Sequence, residues 1–534
     1  MCSSDLIAVG VRYAAWWAIR RPRVRLEAAA FAAAPDDEDL LPAEERARRE
    51  RAREAAGGIT GFATDAAVTV CAFTLAGRLF VAGLLSGKAR PLEVQGPVFD
   101  PRPDPTARRV AYVSGRTLRV AHLDGTSIKV AGDSSPTVSW GSADFIAAEE
   151  MGRSRGYWWS PDGDAIVCTR VDTAPVNTWY IANPGEPAQE PNPVRYPAAG
   201  TANADVTLHV VRPNAPAVAV QWDREAFPYL ATVSWPQPDR ILFSVQSRDQ
   251  HRLLVLSADP ATGSTTELLD DHDDAWVELV PGTPSQLADG RLVYCADRDG
   301  ARRLMMSDTP LTPNDLQVRA VIGTSGNTIT FIANPIADAT VQHVWQWANG
   351  ELHTFTSEAG VHSAAAGGSD HSVLVIRSAT LATHGANTRA FNTSDPSATR
   401  TIASHTATPL VEPNVAVRFY GPRRLATTVL LPRNHDGGLL PVLLDPYGGP
   451  HALRAVQSYN AHCASQWFAD QGFAVVVTDG RGTPGRGSEW ERSVHLDLAT
   501  AVLDDQIDAL HAAAQEFPLD LQRVAIRGWS FGGY

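Results

Sequence analysis

"RVAIRGWSFGGY", residues 523–534, is the stretch on which the reading of the whole chain turns. It contains Gly-x-Ser-x-Gly, with Ser530 between Gly528 and Gly532, directly after the β-rich run "RVAI". A serine hydroxyl is a poor nucleophile until a base takes its proton. This pattern lifts the serine onto a sharp passage from strand to helix, and the two glycines allow that passage to be tight. On its own the motif is weak, since a plain Gly/Ser turn gives it too; its place after a strand makes Ser530 a candidate nucleophile. The tetrahedral oxyanion such a serine creates needs donors. One is the backbone N–H of the following residue, Phe531. The second is expected from the loop after the third strand, "DPYGGPH" (445–451), where the Tyr447 phenol could donate or could simply pack in a Gly/Pro turn.

Working back from the serine, the chain after residue 405 alternates strands and helices. "NVAVRFYG", "LATTVLLP", "PVLLDPYGGP" and "FAVVVTDGRG" read as strands, and "YNAHCASQWFADQG" as a helix. A second helix, "LATAVLDDQIDALHAAAQEF", puts Leu503, Ile507 and Leu510 on one face. This predicts an α/β domain over 405–534, with a parallel sheet, crossover helices and the serine at a strand's carboxyl end. In "TDGRG", Asp479 and Arg481 read as structural.

Residues 57–404 have another texture. Short β-rich runs such as "AAVTVCAF", "RVAYV", "DAIVCTRV", "RILFSVQS" and "HSVLVIRS" recur. Between them stand Asp124-Gly125, Asp162-Gly163, Asp289-Gly290, Asp299-Gly300 and Asn349-Gly350, which are hairpin signals. At about 40–50 residues per four-stranded blade this predicts a β-propeller of seven or eight blades, with two stacked β-sandwiches as the alternative. "WSPDG" (159–163) favours the propeller. Residues 36–56 are charged and predict a helix ending at Gly57-Gly58; residues 1–35 are left without assignment.

Composition narrows the function classes. A net charge of -13 argues against non-specific binding of nucleic acid or anionic lipid. The apolar run Leu6–Ile19 is broken by Arg12, too short to span a bilayer, and followed rather than preceded by arginines. The five cysteines are widely spaced with no CxxC pair, so neither a disulfide framework nor a zinc site is expected. Free thiols and a cytoplasmic location follow as the expectation. No metal or other cofactor is expected, and no membrane partner.

Three phrases in order, "YGGPH", "TDGRGTPGRG" and "GWSFGGY", resemble the prolyl oligopeptidase family of serine peptidases. That family joins a β-propeller to a C-terminal α/β-hydrolase domain. "ADFIAAEEMGRSRGYWWSPDG" (143–163) and "RYPAAGTANADVTLHVV" (195–211) are similar to its dipeptidyl peptidase IV branch, closest to bacterial and dipeptidyl peptidase 8/9-like members. The resemblance implies that Glu149 and Glu150 hold the free amino terminus of a peptide. Two carboxylates facing an α-ammonium group favour its charged form and leave no room for a further residue upstream. Consecutive strand residues face opposite ways, so the pair is expected on a helical turn or loop between Ile146 and Tyr157. The same dipeptide at Glu44-Glu45 reads as solvated helix surface. Arg153 has no partner assigned by the sequence. The resemblance also implies that Tyr447 is the oxyanion donor, that Trp529 and Tyr534 are packing supports beside the nucleophile, and that the protein forms a homodimer.

The function implied is a serine exopeptidase releasing Xaa-Pro or Xaa-Ala dipeptides from peptides with a free N-terminus. The alternatives are an acylaminoacyl-peptidase or oligopeptidase of the same superfamily, which lack the double glutamate, and a non-catalytic propeller binding protein. The triad order in this fold is Ser, Asp, His. No upstream histidine, His451 included, stands in the right place, so the expectation is a sequence truncated after the nucleophile elbow, with Asp and His downstream and the fragment itself inactive.

Overall fold

The computed structural model describes residue 41, residues 45–46, 49–50 and 58–534. The helix expected over 36–56 lies mostly outside the described residues, though 45–46 and 49–50 are helical. Glu45 corrects the reading of Glu44-Glu45 as solvated surface. It is buried and accepts from Arg49 Nε at 2.9 Å, one helical turn on.

From 62 to 402 the chain forms seven antiparallel sheets in sequence order, the blades of a propeller, and within the span of the third a separate two-stranded ribbon, Thr178–Ile181 paired with Asn192–Arg195. Six have four strands, spanning 62–92, 99–131, 229–272, 285–310, 316–354 and 361–402. The third, within 138–219, has five, because Val138–Trp140 also pairs with Ile166–Asp172. All five Asp-Gly and Asn-Gly signals fall between consecutive strands. At Asp299-Gly300 (φ +54° and +81°) and Asn349-Gly350 (φ +52° and +90°) both residues are left-handed, the condition of the tight hairpin turn whose twist matches the strands.

Compactness divides the described chain at Leu279/Val280, with four blades before that point and three blades plus the α/β region after it. In the first unit, Val167, Leu208 and Val210 of the third sheet pack with Ile241, Phe243 and Val245 of the fourth. "YWWSPDG" shows why such a phrase opens a blade. Tyr157 Oη donates to the carbonyls of Asp100 and, at 3.0 Å, Ala111, while Trp159 Nε1 donates to Arg102 O at 3.1 Å. Ser160 Oγ donates to Asp162 Oδ1 and accepts from Ala165 N at 2.9 Å, closing the turn.

In the second unit, Val293, Cys295 and Leu304 pack with Val318, Ile329 and Phe331. The α/β sheet that follows has strands β1 (Val415–Tyr420), β2 (Leu425–Leu430), β3 (Leu440–Leu444), β4 (Ala474–Asp479) and β5 (Leu519–Ile526), in spatial order β1-β2-β4-β3-β5. The expected all-parallel sheet is corrected. β1 and β2 form an antiparallel hairpin and β2 runs antiparallel to β4, so only β4, β3 and β5 are parallel. The four residues Gly421–Arg424 explain the hairpin, since a connection so short can only reverse the chain.

Helix Thr500–Ala513 forms as expected, but it is not the Leu503 and Ile507 side that it buries. Leu510 is buried, but Leu503 and Ile507 are 57% and 43% exposed. The buried face is centred on Asp505, Gln506, Ala509 and Ala513, leaving Leu510 at its edge. Buried polar contacts set that rotation. Asp505 takes the Arg481 guanidinium at 2.9 Å and the Arg481 N–H at 2.6 Å, and Gln506 Nε2 donates to Thr478 O at 3.1 Å.

The segment after β4, "GRGTPGRGSEWER", is pinned to the fifth and sixth blades by buried charge. Glu491 accepts from Arg302 Nη2 at 2.6 Å, from Gln317 Nε2 at 3.3 Å and from Gly485 N at 2.9 Å. Asn334 Nδ2 donates to Gly485 O at 2.8 Å, and Arg492 Nη2 reaches Asp297 Oδ2 at 2.9 Å. Removing one partner of a buried pair strands the other charge away from water. Arg302→Met is therefore expected to cost about 3–5 kcal/mol in denaturant unfolding. The Arg302→Met/Glu491→Leu double variant should lose less than the sum of the two single changes; strictly additive losses would show that the two charges do not depend on one another.

Candidate functional site

Ser530 follows β5 by four residues and sits at φ +55°, left-handed for a residue with a side chain. A conformation of this kind costs about 1–3 kcal/mol and persists where the surroundings dictate it. The surroundings here are two glycines. A Cβ on Gly528 would lie 1.6 Å from Gly532 O, and one on Gly532 would lie 2.3 Å from Pro446 O and 3.1 Å from Tyr447 Cα. No side chain fits at either position, which is the physical content of the motif. A single turn, Ser530–Gly533, follows, held by Gly532 N–H to Trp529 O and Tyr534 N–H to Phe531 O, both at 3.1 Å. Ser530 is exposed, as a nucleophile has to be. Among the described residues, the Phe531 N–H donates to no acceptor, and no histidine nitrogen lies within hydrogen-bond distance of Ser530.

The oxyanion loop follows β3, the third strand of this sheet, and meets the serine turn directly. The Tyr447 and Phe531 rings are 5.8 Å apart, and a Cβ on Gly449 would come within 2.5 Å of the Phe531 ring. Tyr447, Ser530 and Phe531 are thus gathered in one place. Trp529 and Tyr534, expected as supports, are 70% and 91% exposed, and the Tyr534 ring lies 6.5 Å from that of Phe531.

Beneath the loop lie buried charges, of which sequence reasoning named Asp479, as structural, and missed Asp445 and Arg454. Asp445, fully buried at the end of β3, accepts both terminal nitrogens of Arg454, at 2.8 and 2.7 Å. Asp479, at the end of β4, accepts the backbone N–H of Arg454 and Ala455 through one oxygen, at 2.8 and 2.7 Å. Its other oxygen is buried without a partner. Asp445 stands next to "PYGGPH" in the sequence, but nothing there names Arg454 as its partner.

Glu149 and Glu150 belong to the other compact unit. They lie at the end of helix Phe145–Glu149, a single short helix between the strands Val138–Trp140 and Tyr157–Trp159, and both are exposed. The excursion expected there is present. Asp144 caps the helix by accepting from Ala147 N at 3.1 Å. Arg153 folds back beneath it and is almost fully buried. Its guanidinium donates to Asp144 Oδ1 at 2.8 Å, Leu230 O at 3.0 Å and Arg155 O at 2.8 Å, while its N–H donates to Ala147 O at 2.9 Å. Burial holds the Arg153 pKa below its ordinary value, with Asp144 opposing that shift. Arg153 therefore anchors the turn that carries the two glutamates.

Burial pushes the Asp479 carboxyl up from 3.8 to about 6, against the pull of the two N–H donors and Arg454. A carboxyl whose folded value lies above its unfolded one favours folding at low pH, and that contribution is lost as pH rises through about 6. Asp479→Asn removes the titration. Between pH 4 and pH 7, its stability relative to the unsubstituted protein should therefore rise by about 2 kcal/mol in denaturant unfolding. A difference that does not change with pH would place the Asp479 pKa at its unfolded value.

Residues 67–378 match the family model for the dipeptidyl peptidase IV N-terminal region, and residues 459–534 match that of the prolyl oligopeptidase family. A protein of Aspergillus flavus named as a dipeptidyl peptidase 4 is 24% identical over 521 residues, covering 85% of this chain and 64% of its own. The venom dipeptidyl peptidase 4 of Vespula vulgaris is 23% identical over 443 residues, covering 74% and 56%. The chain thus spans less than two thirds of the length of these relatives. The crystal structure of Porphyromonas gingivalis dipeptidyl peptidase 4 is alike in fold, with a TM-score of 0.75 at 20% identity over 92% of this chain and 74% of that one. With more than half of its length matched by the first model, the chain belongs to the dipeptidyl peptidase IV branch of the prolyl oligopeptidase family.

Proposed function

We propose that this chain carries the nucleophile and the substrate-amine clamp of a serine dipeptidyl peptidase, acting on peptides with a free N-terminus. The observation that carries the proposal is Ser530 at φ +55° between two glycines that admit no side chain, with the Phe531 N–H open beside it. In the proposed reaction Ser530 Oγ attacks the carbonyl carbon of the second residue. The new C–O bond turns the carbonyl oxygen into an oxyanion, which Phe531 N–H and the Tyr447 phenol stabilise. Collapse of this intermediate breaks the C–N bond, the departing amine takes a proton, and water then releases the dipeptide from the acyl-enzyme. The proton of Ser530 needs a base that none of the described residues around it provides. Glu149 and Glu150 set the cleavage point by holding the α-ammonium group, which makes an acylaminoacyl-peptidase the weaker alternative: an acylated terminus offers no charge for two carboxylates.

The preference for proline or alanine at the second position and assembly as a homodimer are part of the same proposal and rest on family resemblance, and a cytoplasmic location is proposed from the cysteines. The free thiols of Cys71, Cys168, Cys295 and Cys463 fit a reducing compartment.

The test uses the full-length gene product. It should release the chromogenic amine from a free-amino Ala-Pro anilide at least about a hundredfold faster than from the N-acetylated substrate, a difference of roughly 2.7 kcal/mol. Glu149→Ala or Glu150→Ala should cost about 2–5 kcal/mol in kcat/KM on the free-amino substrate, the range for truncating one partner of a buried charge pair. The reaction of Ser530 with a small fluorophosphonate should be unaffected. Comparable rates on the two anilides would overturn the dipeptidyl reading, and a parallel loss of both reactions would make the glutamates folding residues.

A further inference from the structure

The loop that carries Tyr447 is closed at its base by a single side chain. Residue 445 is its first and residue 454 its last, and the Asp445 carboxylate accepts both Arg454 terminal nitrogens at 2.8 and 2.7 Å. Each end is also tied to the sheet. Asp445 N–H donates to Val476 O at 3.0 Å on β4, and the N–H groups of Arg454 and Ala455 donate to Asp479 at the end of the same strand. The same carboxylate faces the approach to the nucleophile. Arg527, three residues before Ser530, brings Nη1 to 3.7 Å from Asp445 Oδ2, and its N–H donates to Leu444 O at 2.9 Å. Ser465 Oγ donates to Asp445 Oδ2 at 3.2 Å. Above this base the loop touches the serine turn through Pro446, Tyr447 and Gly449.

We propose that Arg454, clamped on Asp445, is a positioning residue that sets the oxyanion loop, and with it Tyr447, against the Ser530 turn. This rests on the reading of Ser530 as nucleophile and Tyr447 as oxyanion donor. The buried carboxylate joins three pieces of chain, the two ends of the loop and the approach to Ser530. Only a planar fork can hold both of its oxygens at once. A lysine at 454 keeps the charge and loses that geometry, so the loop is left free to shift relative to the serine.

The test is a double-mutant cycle in the full-length gene product, with two readouts: kcat and KM on free-amino Ala-Pro anilide, and the second-order rate of Ser530 phosphonylation by a fluorophosphonate. Arg454→Lys should lower kcat and the phosphonylation rate at least tenfold and leave KM within twofold. In a Tyr447→Phe background the same substitution should cost less than threefold, because the donor it positions is already gone. Where near-UV circular dichroism shows Arg454→Lys unfolded, the cycle is run with Arg527→Lys, which loosens the same carboxylate from the nucleophile side. An equal loss in both backgrounds, or no loss in the first, would overturn the inference and leave Arg454 a residue of the fold. A parent protein that is phosphonylated but does not cleave the anilide would contradict the dipeptidyl reading alone, and the phosphonylation cycle would still decide the role of Arg454. A parent protein that is not phosphonylated at all would overturn both.

Discussion

Two backbone segments approach closer here than any Cβ allows. The turn that carries Ser530 meets the loop that carries Tyr447 at Gly532, where the carbonyl of Pro446 occupies the place a side chain would need. Inside the turn, Gly528 stands against the carbonyl of Gly532 in the same way. With both positions reduced to hydrogen, the chain folds tightly enough to hold Ser530 in a left-handed conformation at the end of a parallel strand. Serine exposure, the open N–H of Phe531 and the nearness of Tyr447 all follow from that contact.

Holding the contact in place is the work of buried charge. Carboxylates at the ends of two adjacent parallel strands, Asp445 and Asp479, take the side chain and the backbone of one residue, Arg454. Farther along the same segment, Asp505 fixes Arg481, and Glu491 fixes both Arg302 and the Gly485 N–H. Buried carboxylates are costly unless nearly every lone pair has a donor. These have theirs, except for one oxygen of Asp479, the carboxyl whose pKa burial raises. The same device appears in the first compact unit, where Arg153 ties the glutamate-bearing turn to Asp144 and to Leu230 of the next sheet.

What could be read from the sequence was whatever depends on local geometry. Asp-Gly and Asn-Gly pairs demand left-handed backbone, so the hairpins of the propeller were visible, and so was the strand-to-turn passage at Gly528–Gly532. Glu149 and Glu150 were expected off the strands, and they lie at the end of the helix Phe145–Glu149. What could not be read depends on partners distant in the chain. Apolar spacing put Leu503, Ile507 and Leu510 on one face of a helix, but which face is buried is set by Asp505 and Gln506, whose partners lie 24 and 28 residues away. Arg153 and Arg454 each look like one surface arginine among many, and only the fold shows that their guanidinium groups lie against Asp144 and Asp445.

The central proposal is that Ser530, held on its glycine-walled turn, is the nucleophile of the full-length gene product. Reacting the full-length gene product with a fluorophosphonate, digesting it and mapping the adduct by tandem mass spectrometry tests this most directly. The account predicts one stoichiometric adduct on the peptide containing Ser530, absent from the Ser530→Ala variant. An adduct on another serine, or one that persists in the Ser530→Ala variant, would contradict it.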